Sequence, residues 1–426
     1  MTWLGREARR DAISDLYFMA REGWVLKEAF NILHEDDETL PKGKYLYGSR
    51  RAIRVASCRN RGDIMAMASA PYDPGISLDG LLHARFGIDL TPERAQLLAK
   101  QDIHYLARPL ERSFDDQNLW RRTCRALTED ILENAAVERG AYEHYLAESS
   151  FYTSENPALV DLGWRANIQG ALGSLTSRSL TGYYYATLQD SVIWLDRGHF
   201  HRCYAGQGLS PSISNSVMVH HRHLMEFLLC HSEPTLTSMK MVDGRTQPVF
   251  RPETEHLSRR VFIDQVHRGV LNFVRNYRAG FAHVTDQIYI DPALAEMAFH
   301  QFARFPVTID ARLLLNQSFE DAVGGIPKKY IISPNIKDHA RNSVWKVGAQ
   351  AAHASTAPPK KPTNLTPVVW PFATVLDVKS KRPIEQLILK SFLSDRKHNK
   401  YLKDRAEFFT DSRSNLLKAY YRITGG

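Results

Sequence analysis

Cysteine is scarce in this sequence, with 4 in 426 residues, and Cys58, Cys124, Cys203 and Cys230 stand far apart without a CxxC spacing. That excludes a cysteine zinc site or a disulfide framework and leaves reduced thiols. Every uncharged apolar run falls far short of the ~20 residues that a membrane-spanning helix needs. The opening "MTWLGREARRDAISD" lacks the apolar centre of a secretory signal, so a cytoplasmic location is expected. Internal repeats are missing, and so is an HExxH helix. His199, His201, His220, His221, His223 and His231 crowd one region, but only Glu226 stands near them, and no histidine metal centre is expected. The acidic run at 36–38 reads as a solvated loop.

What is present is ordinary globular material: 43% hydrophobic and 10% aromatic residues, enough for a large core. The net charge of +8 is unevenly placed. From Lys379 to Gly426, 12 Lys and Arg stand against 5 Asp and Glu, so nearly all of the excess sits in the last 48 residues. A near-neutral body argues against a nucleic-acid-binding protein. The tail "KHNKYLKDRAEFFTDSRSNLLKAYYRI" interleaves cations with Tyr401, Leu402, Phe408, Phe409, Leu416 and Leu417. That pattern suits either an anionic membrane surface or a helix packed on the body with a charged outer face.

Hydrophobic periodicity sketches the elements. A short helix is expected over 5–14, a strand over Leu16–Met19, a turn at Ala20–Gly23, a helix over Trp24–Leu33 and a strand over Tyr45–Tyr47. Strand, helix and strand within ~30 residues is a βαβ unit with parallel pairing. Residues 72–150 read as a helical insertion, with Thr91 capping a helix that begins at Pro92. A strand and helix return at 158–175. Further strands are expected at 182–188 and 191–197, and helices at 216–231 and 255–281. The fold expected is α/β, a Rossmann-like parallel sheet in a catalytic domain over 1–335. A linker over 336–366 and a basic helical tail over 367–426 follow.

Three expected strand ends gather polar groups: Arg21-Glu22-Gly23, Ser49-Arg50-Arg51, and Asp161-Leu162-Gly163-Trp164-Arg165. In an open parallel sheet these ends line one crevice. Each precedes a helix, whose free N–H groups favour an anion. The arginines add forked donors that grip phosphate bidentately. "EFLLCHSEPT" (226–235), with His231, reads either as a wall of an acceptor site or as a capped helix end.

These stretches carry a resemblance. "LYFMAREGWVLKEAF…YLYGSRRA", "VDLGWRANIQ" and "EFLLCHSEPT…DG…PVF" resemble the glycan phosphoribosyltransferases of bacterial surface-polysaccharide (O-antigen or capsule) synthesis, over residues 10–330. In that family the domain is linked to haloacid-dehalogenase-type phosphatases. The tail separately resembles the ending of polysaccharide-assembly enzymes. The resemblance implies transfer of ribofuranose 5-phosphate from phosphoribosyl pyrophosphate to a lipid-linked glycan. It implies Arg21, Arg50 and Arg51 on the pyrophosphate, with Mg²⁺, and Asp161 on the ribose hydroxyls. The N–H groups from Gly163 to Asn167 would hold the 5-phosphate, with Glu22 as base or Mg²⁺ contact. Gly23, Ser49, Trp164, Arg165, Gln169 and His231 complete the expected substrate contacts. No Asp-x-Asp pair closes an early strand, so a separate phosphatase partner is implied. A nucleotide-sugar glycosyltransferase and a non-catalytic scaffold held to the inner membrane face by its tail are the alternatives.

Overall fold

The computed structural model describes residues 1–353 apart from 73, 105–106, 112, 212–213, 215, 252–256, 282–283, 285–287, 289, 320–328 and 336–341. The tail expected over 367–426, and the expected linker other than 342–353, lie outside the described residues.

Helix α1 (Thr2–Arg10) leads into strand β1 (Asp15–Met19), helix α2 (Gly23–Leu33), strand β2 (Gly43–Leu46) and helix α3 (Arg50–Ala56). Four helices, α4 (Arg61–Ala68), α5 (Leu78–Phe86), α6 (Pro92–Ala99) and α7 (Phe114–Ala126), lead to the long α8 (Thr128–Glu148). The chain then returns to the sheet as β3 (Pro157–Asp161), α9 (Asn167–Thr176), β4 (Thr181–Leu188) and β5 (Phe200–Leu209). The five strands are all parallel, in the order β2-β1-β3-β4-β5. The expected βαβ unit is therefore present, and the three polar strand ends belong to three adjacent strands.

Alternation along β1 explains why the sheet is covered on both faces. Leu16 and Phe18, with Ala158 and Val160 of β3, pack against Leu4 and Ala8 of α1 and Phe30 of α2. Tyr17, Met19 and Leu159 point the other way, onto Ile53 of α3, Tyr142 of α8 and Leu172 of α9. A strand buried on both faces reads as a continuous apolar run, as "LYFM" does.

The insertion has a core of its own around Trp120, Phe86, Leu82 and Ile131. Thr91 caps α6 through the Arg94 N–H, and Pro92 occupies its first position, as its sequence predicts. A short helix, α10 (Val192–Leu195), lies between β4 and β5; past the sheet come helices α11 (Val217–His220), α12 (Arg222–Leu229) and α13 (Leu257–Phe281), and between α12 and α13 a hairpin of β6 (Leu236–Val242) and β7 (Arg245–Phe250) that packs on α3 and α8. The hairpin turns on Asp243 and Gly244, both at positive φ, a two-residue Asp-Gly turn.

Three expectations change. The strand expected at 191–197 is instead a 3-10 turn and the short helix α10, in the crossover between β4 and β5. Val192 and Ile193 stay about half exposed there, because Phe200–Leu209 takes the edge position. The helix expected over 216–231 is two helices, broken at His221. The expected linker overlaps packed structure: helix Lys346–Ala352 buries Ala349 and Ala352 in a cluster with Trp345, Leu224, Phe227 and Ile263.

Candidate active site

The order β2-β1-β3 places a topological switch between β1 and β3: the chain leaves β1 towards one side and β3 pairs on the other. Ligand crevices of open α/β sheets form outside the carboxyl ends of strands at such a point. Glu22, three residues beyond Met19, the last paired residue of β1, and Asp161, which ends β3, sit there.

A third carboxylate joins them from α12. Glu226 Oε1 accepts the Trp164 indole N–H at 2.8 Å, and Oε2 lies 3.0 Å from His223 Nδ1. The three acids feel one another unequally. Asp161 is pushed up to about 8, first by burial and then by the charges of Glu22 and Glu226. Glu22 is raised by burial, with Arg21 opposing the rise and Glu226 adding to it. Burial also opposes the charge on Glu226, yet its His223 and Trp164 hydrogen bonds and the nearby Arg50 hold it below the usual carboxylate range. Carboxyl groups driven apart in this way divide into a proton holder and an ionised base.

The turn after β3 is built by close approach. Gly163 has φ +143°, and a Cβ there would lie 2.2 Å from the Ala186 carbonyl oxygen of β4. The loop keeps pairing with β4: the Ala186 N–H donates to Leu162 and the Leu188 N–H to Trp164, at 3.3 and 2.6 Å. Gly163→Ala should therefore cost about 1–3 kcal/mol, read as a lower midpoint in thermal or urea unfolding. An unchanged midpoint would contradict this loop geometry. Beyond it, Ala166 adopts the left-handed conformation and α9 starts without a side-chain cap, leaving its first N–H groups to the crevice.

The remaining expected residues divide. Arg21 contributes charge beside Glu22, and its carbonyl receives the His231 N–H at 3.2 Å. His231 lies against Trp24, tilted by 30° with ring centroids 4.7 Å apart, and 3.2 Å from Glu233, which also accepts the Tyr47 hydroxyl. Burial holds its imidazole below the usual value against the pull of Glu233. Arg50 stands between the Glu226 carboxylate and the insertion. Arg165 reaches the rim, paired with Asp190 at 3.2 Å, an exposed contact of small energy.

Five expected substrate contacts have structural occupations instead. Arg51 turns away from the crevice and pairs with Glu138 of α8 at 2.5 and 2.8 Å, also donating to the Thr237 carbonyl. Gln169 is fully buried and holds strands together, donating to Leu180 and Phe200 carbonyls and accepting from the Tyr184 hydroxyl. Ser49 spends its hydroxyl as the cap of α3, accepting the Ala52 N–H at 3.0 Å. A Cβ on Gly23 would lie 2.7 Å from the Phe18 carbonyl carbon, so the glycine lets α2 start against β1. The Asn167 amide oxygen accepts from Trp194, whose ring covers Gly170 of α9.

The sequence offers Glu226 only as the one carboxylate near the histidines, with nothing to pair it with His223 or Trp164. Among the described residues, no three His, Cys, Asp or Glu side chains are arranged to hold a metal ion, and no helix is long and apolar enough to cross a membrane. Chemically, the crevice offers acids of unequal basicity to a cationic centre and free N–H groups to an anion. The chain matches no family model and no curated protein.

Proposed function

We propose that the protein is a glycan phosphoribosyltransferase of bacterial surface-polysaccharide synthesis. On this reading it moves ribofuranose 5-phosphate from phosphoribosyl pyrophosphate to a lipid-linked glycan acceptor. The observation that carries the reading is the meeting of Asp161, Glu22 and Glu226 with the uncapped start of α9 at one switch point. A donor with a phosphate at one end and a departing diphosphate at the other needs both kinds of surface.

In the reaction the bond from ribose C1 to the diphosphate oxygen breaks, and the acceptor hydroxyl oxygen bonds to C1. Positive charge grows on the ring and negative charge on the leaving group. The α9 N–H groups hold the 5-phosphate. Asp161 faces the ring and its hydroxyls, and the positive charge growing there favours its ionised form over the protonated one of the empty crevice. Glu226, held ionised by Trp164 and His223, receives the acceptor proton. Arg21 and Arg50 face the diphosphate. Mg²⁺ binds through one or two carboxylates plus substrate phosphates in sites of this kind, a set that Asp161 and Glu22 fit, and when bound it would neutralise the diphosphate. A separate phosphatase would remove the 5-phosphate, and the basic tail would keep the protein against the inner face of the membrane.

Phosphoribosyl pyrophosphate with Mg²⁺ should raise the melting temperature, by about 2.7 kcal/mol of stabilisation at ~100 times its dissociation constant. A shift with a nucleotide sugar instead would replace the donor in this reading. No shift with any donor would favour the non-catalytic scaffold.

A further inference from the structure

Exposed apolar side chains are ordinary when they stand singly and informative when they gather. Among the described residues 18 large ones are exposed, and six of them fall in the stretch Leu294–Leu313. These are Leu294, Met297, Phe305, Val307, Ile309 and Leu313, with Ile309 72% and Leu313 59% exposed. They lie on helices α14 (Pro292–Ala295), α15 (Met297–Arg304) and α16 (Thr308–Leu313) and on the turn between the last two. The inner sides of α15 and α16 are packed: Ala303, Ala311 and Leu314 are buried in one cluster with Trp345 and Ala349. Both helices rest on helix Lys346–Ala352, so their outer sides look away from the same core. Negative charge is withdrawn from this face. Glu296 is buried and turned inward, accepting the Ser216 hydroxyl and the Val217 N–H at 2.5 and 2.6 Å. Asp310 is half-buried, while Arg312 and Lys346 are exposed.

We propose that the outer face of α14–α16 is a membrane-docking surface, seated at the boundary of headgroups and acyl chains in an anionic bilayer. Two observations choose lipid over a protein partner. Between Met297 and Leu313 only Gln301 and Arg312 offer exposed polar side chains. A protein interface carries a polar rim with directed hydrogen bonds, whereas acyl chains demand none. The second observation is where the basic segment begins. Arg312 Nε donates to the Ala352 carbonyl at 3.2 Å, so the chain leaves the described body from this face. Residues 354–426 hold 14 Lys and Arg against 6 Asp and Glu, an excess of +8. Anionic lipid attracts such a segment, but stable anchoring takes two signals. The basic segment supplies one and the apolar face the other. This surface shares the membrane with the proposed function and does not depend on the transfer; a tail acting alone would leave the face in water.

The test is sedimentation of the full-length protein with vesicles of phosphatidylcholine, alone or mixed with phosphatidylglycerol. Wild type should bind the mixed vesicles, and part of that binding should survive salt high enough to screen the basic segment. Ile309→Gln combined with Leu313→Gln should weaken binding about ten- to hundredfold. Its melting midpoint should be unchanged, because both side chains are exposed and glutamine suits a helix. Phe114→Gln, equally exposed but on the insertion, should bind as wild type does. In Ile309→Trp the added fluorescence should shift to the blue on mixed vesicles and be quenched by brominated acyl chains. Vesicle binding needs neither donor nor acceptor, so its failure and that of the transfer are read separately. No binding by wild type, undiminished binding by the double variant, or unquenched fluorescence in Ile309→Trp would each overturn the proposal. So would self-association of wild type that the double variant abolishes, or a lowered midpoint, which would give the face to a second copy or to the chain itself.

Discussion

Asp161→Asn should stabilise the unliganded protein, with a gain that grows as pH rises from 4 to 8, while reducing the proposed transfer about 10²–10³-fold. The folded-state pKa of Asp161, about 8, lies above its unfolded value near 4, because burial and the Glu22 and Glu226 charges disfavour its ionised form. A raised pKa contributes stability that is complete below the unfolded value and is lost as pH rises through the folded one. Above pH 8 the folded protein carries an ionised Asp161 beside two other acids, and asparagine removes that charge without changing the shape. At 1.36 kcal/mol per pK unit the ceiling is about 5 kcal/mol; part of the side chain remains accessible, so a gain of about 1–3 kcal/mol is expected at pH 9. Glu226, shifted downward, loses its contribution only as pH falls through its own lowered value, outside this window. Unfolding midpoints of both proteins between pH 5 and 9 provide the check, and parallel curves would contradict the buried-acid account.

Arg51→Ala should be the most destabilising single change in this region, at about 3–5 kcal/mol. It strands Glu138, whose charge burial already disfavours, and leaves the Thr237 carbonyl without its donor. The double variant Arg51→Met, Glu138→Leu should recover most of that loss, since two apolar side chains replace a buried pair at little cost. Urea unfolding of the two variants separates a structural arginine from a ligand-binding one. A single variant of normal stability would return Arg51 to the crevice.

Much of the frame was legible because it is local. "LYFM" and "ALVD" are strand-length apolar runs, Thr91-Pro92 is a helix start, and polar residues at 21–23, 49–51 and 161–165 follow the runs directly. Direction was not legible. Arg50 and Arg51 are neighbours in sequence but about 100° apart around a helix, so one faces the crevice and the other faces α8. Gln169 looks like a crevice amide on spacing, yet one turn into α9 it points at the strands. Glu226 reaches the site from 65 positions beyond Asp161 through Trp164, a contact that no local pattern contains. "SVIWLDR" has strand composition, but its position between two already paired strands decides its shape.

The pairing of β1 with β3 has a kinetic consequence. Leu16 lies opposite Ala158, so closing this central ladder brings together residues about 140 positions apart. The entropy of closing a loop grows slowly with its length, but chains dominated by such distant pairings fold slowly. The intervening helices around Trp120 shorten the effective tether once they have collapsed. Because the insertion separates β1 from β3 along the chain, a lesion in that remote helical core should slow assembly of the central ladder while touching no residue of the carboxylate crevice.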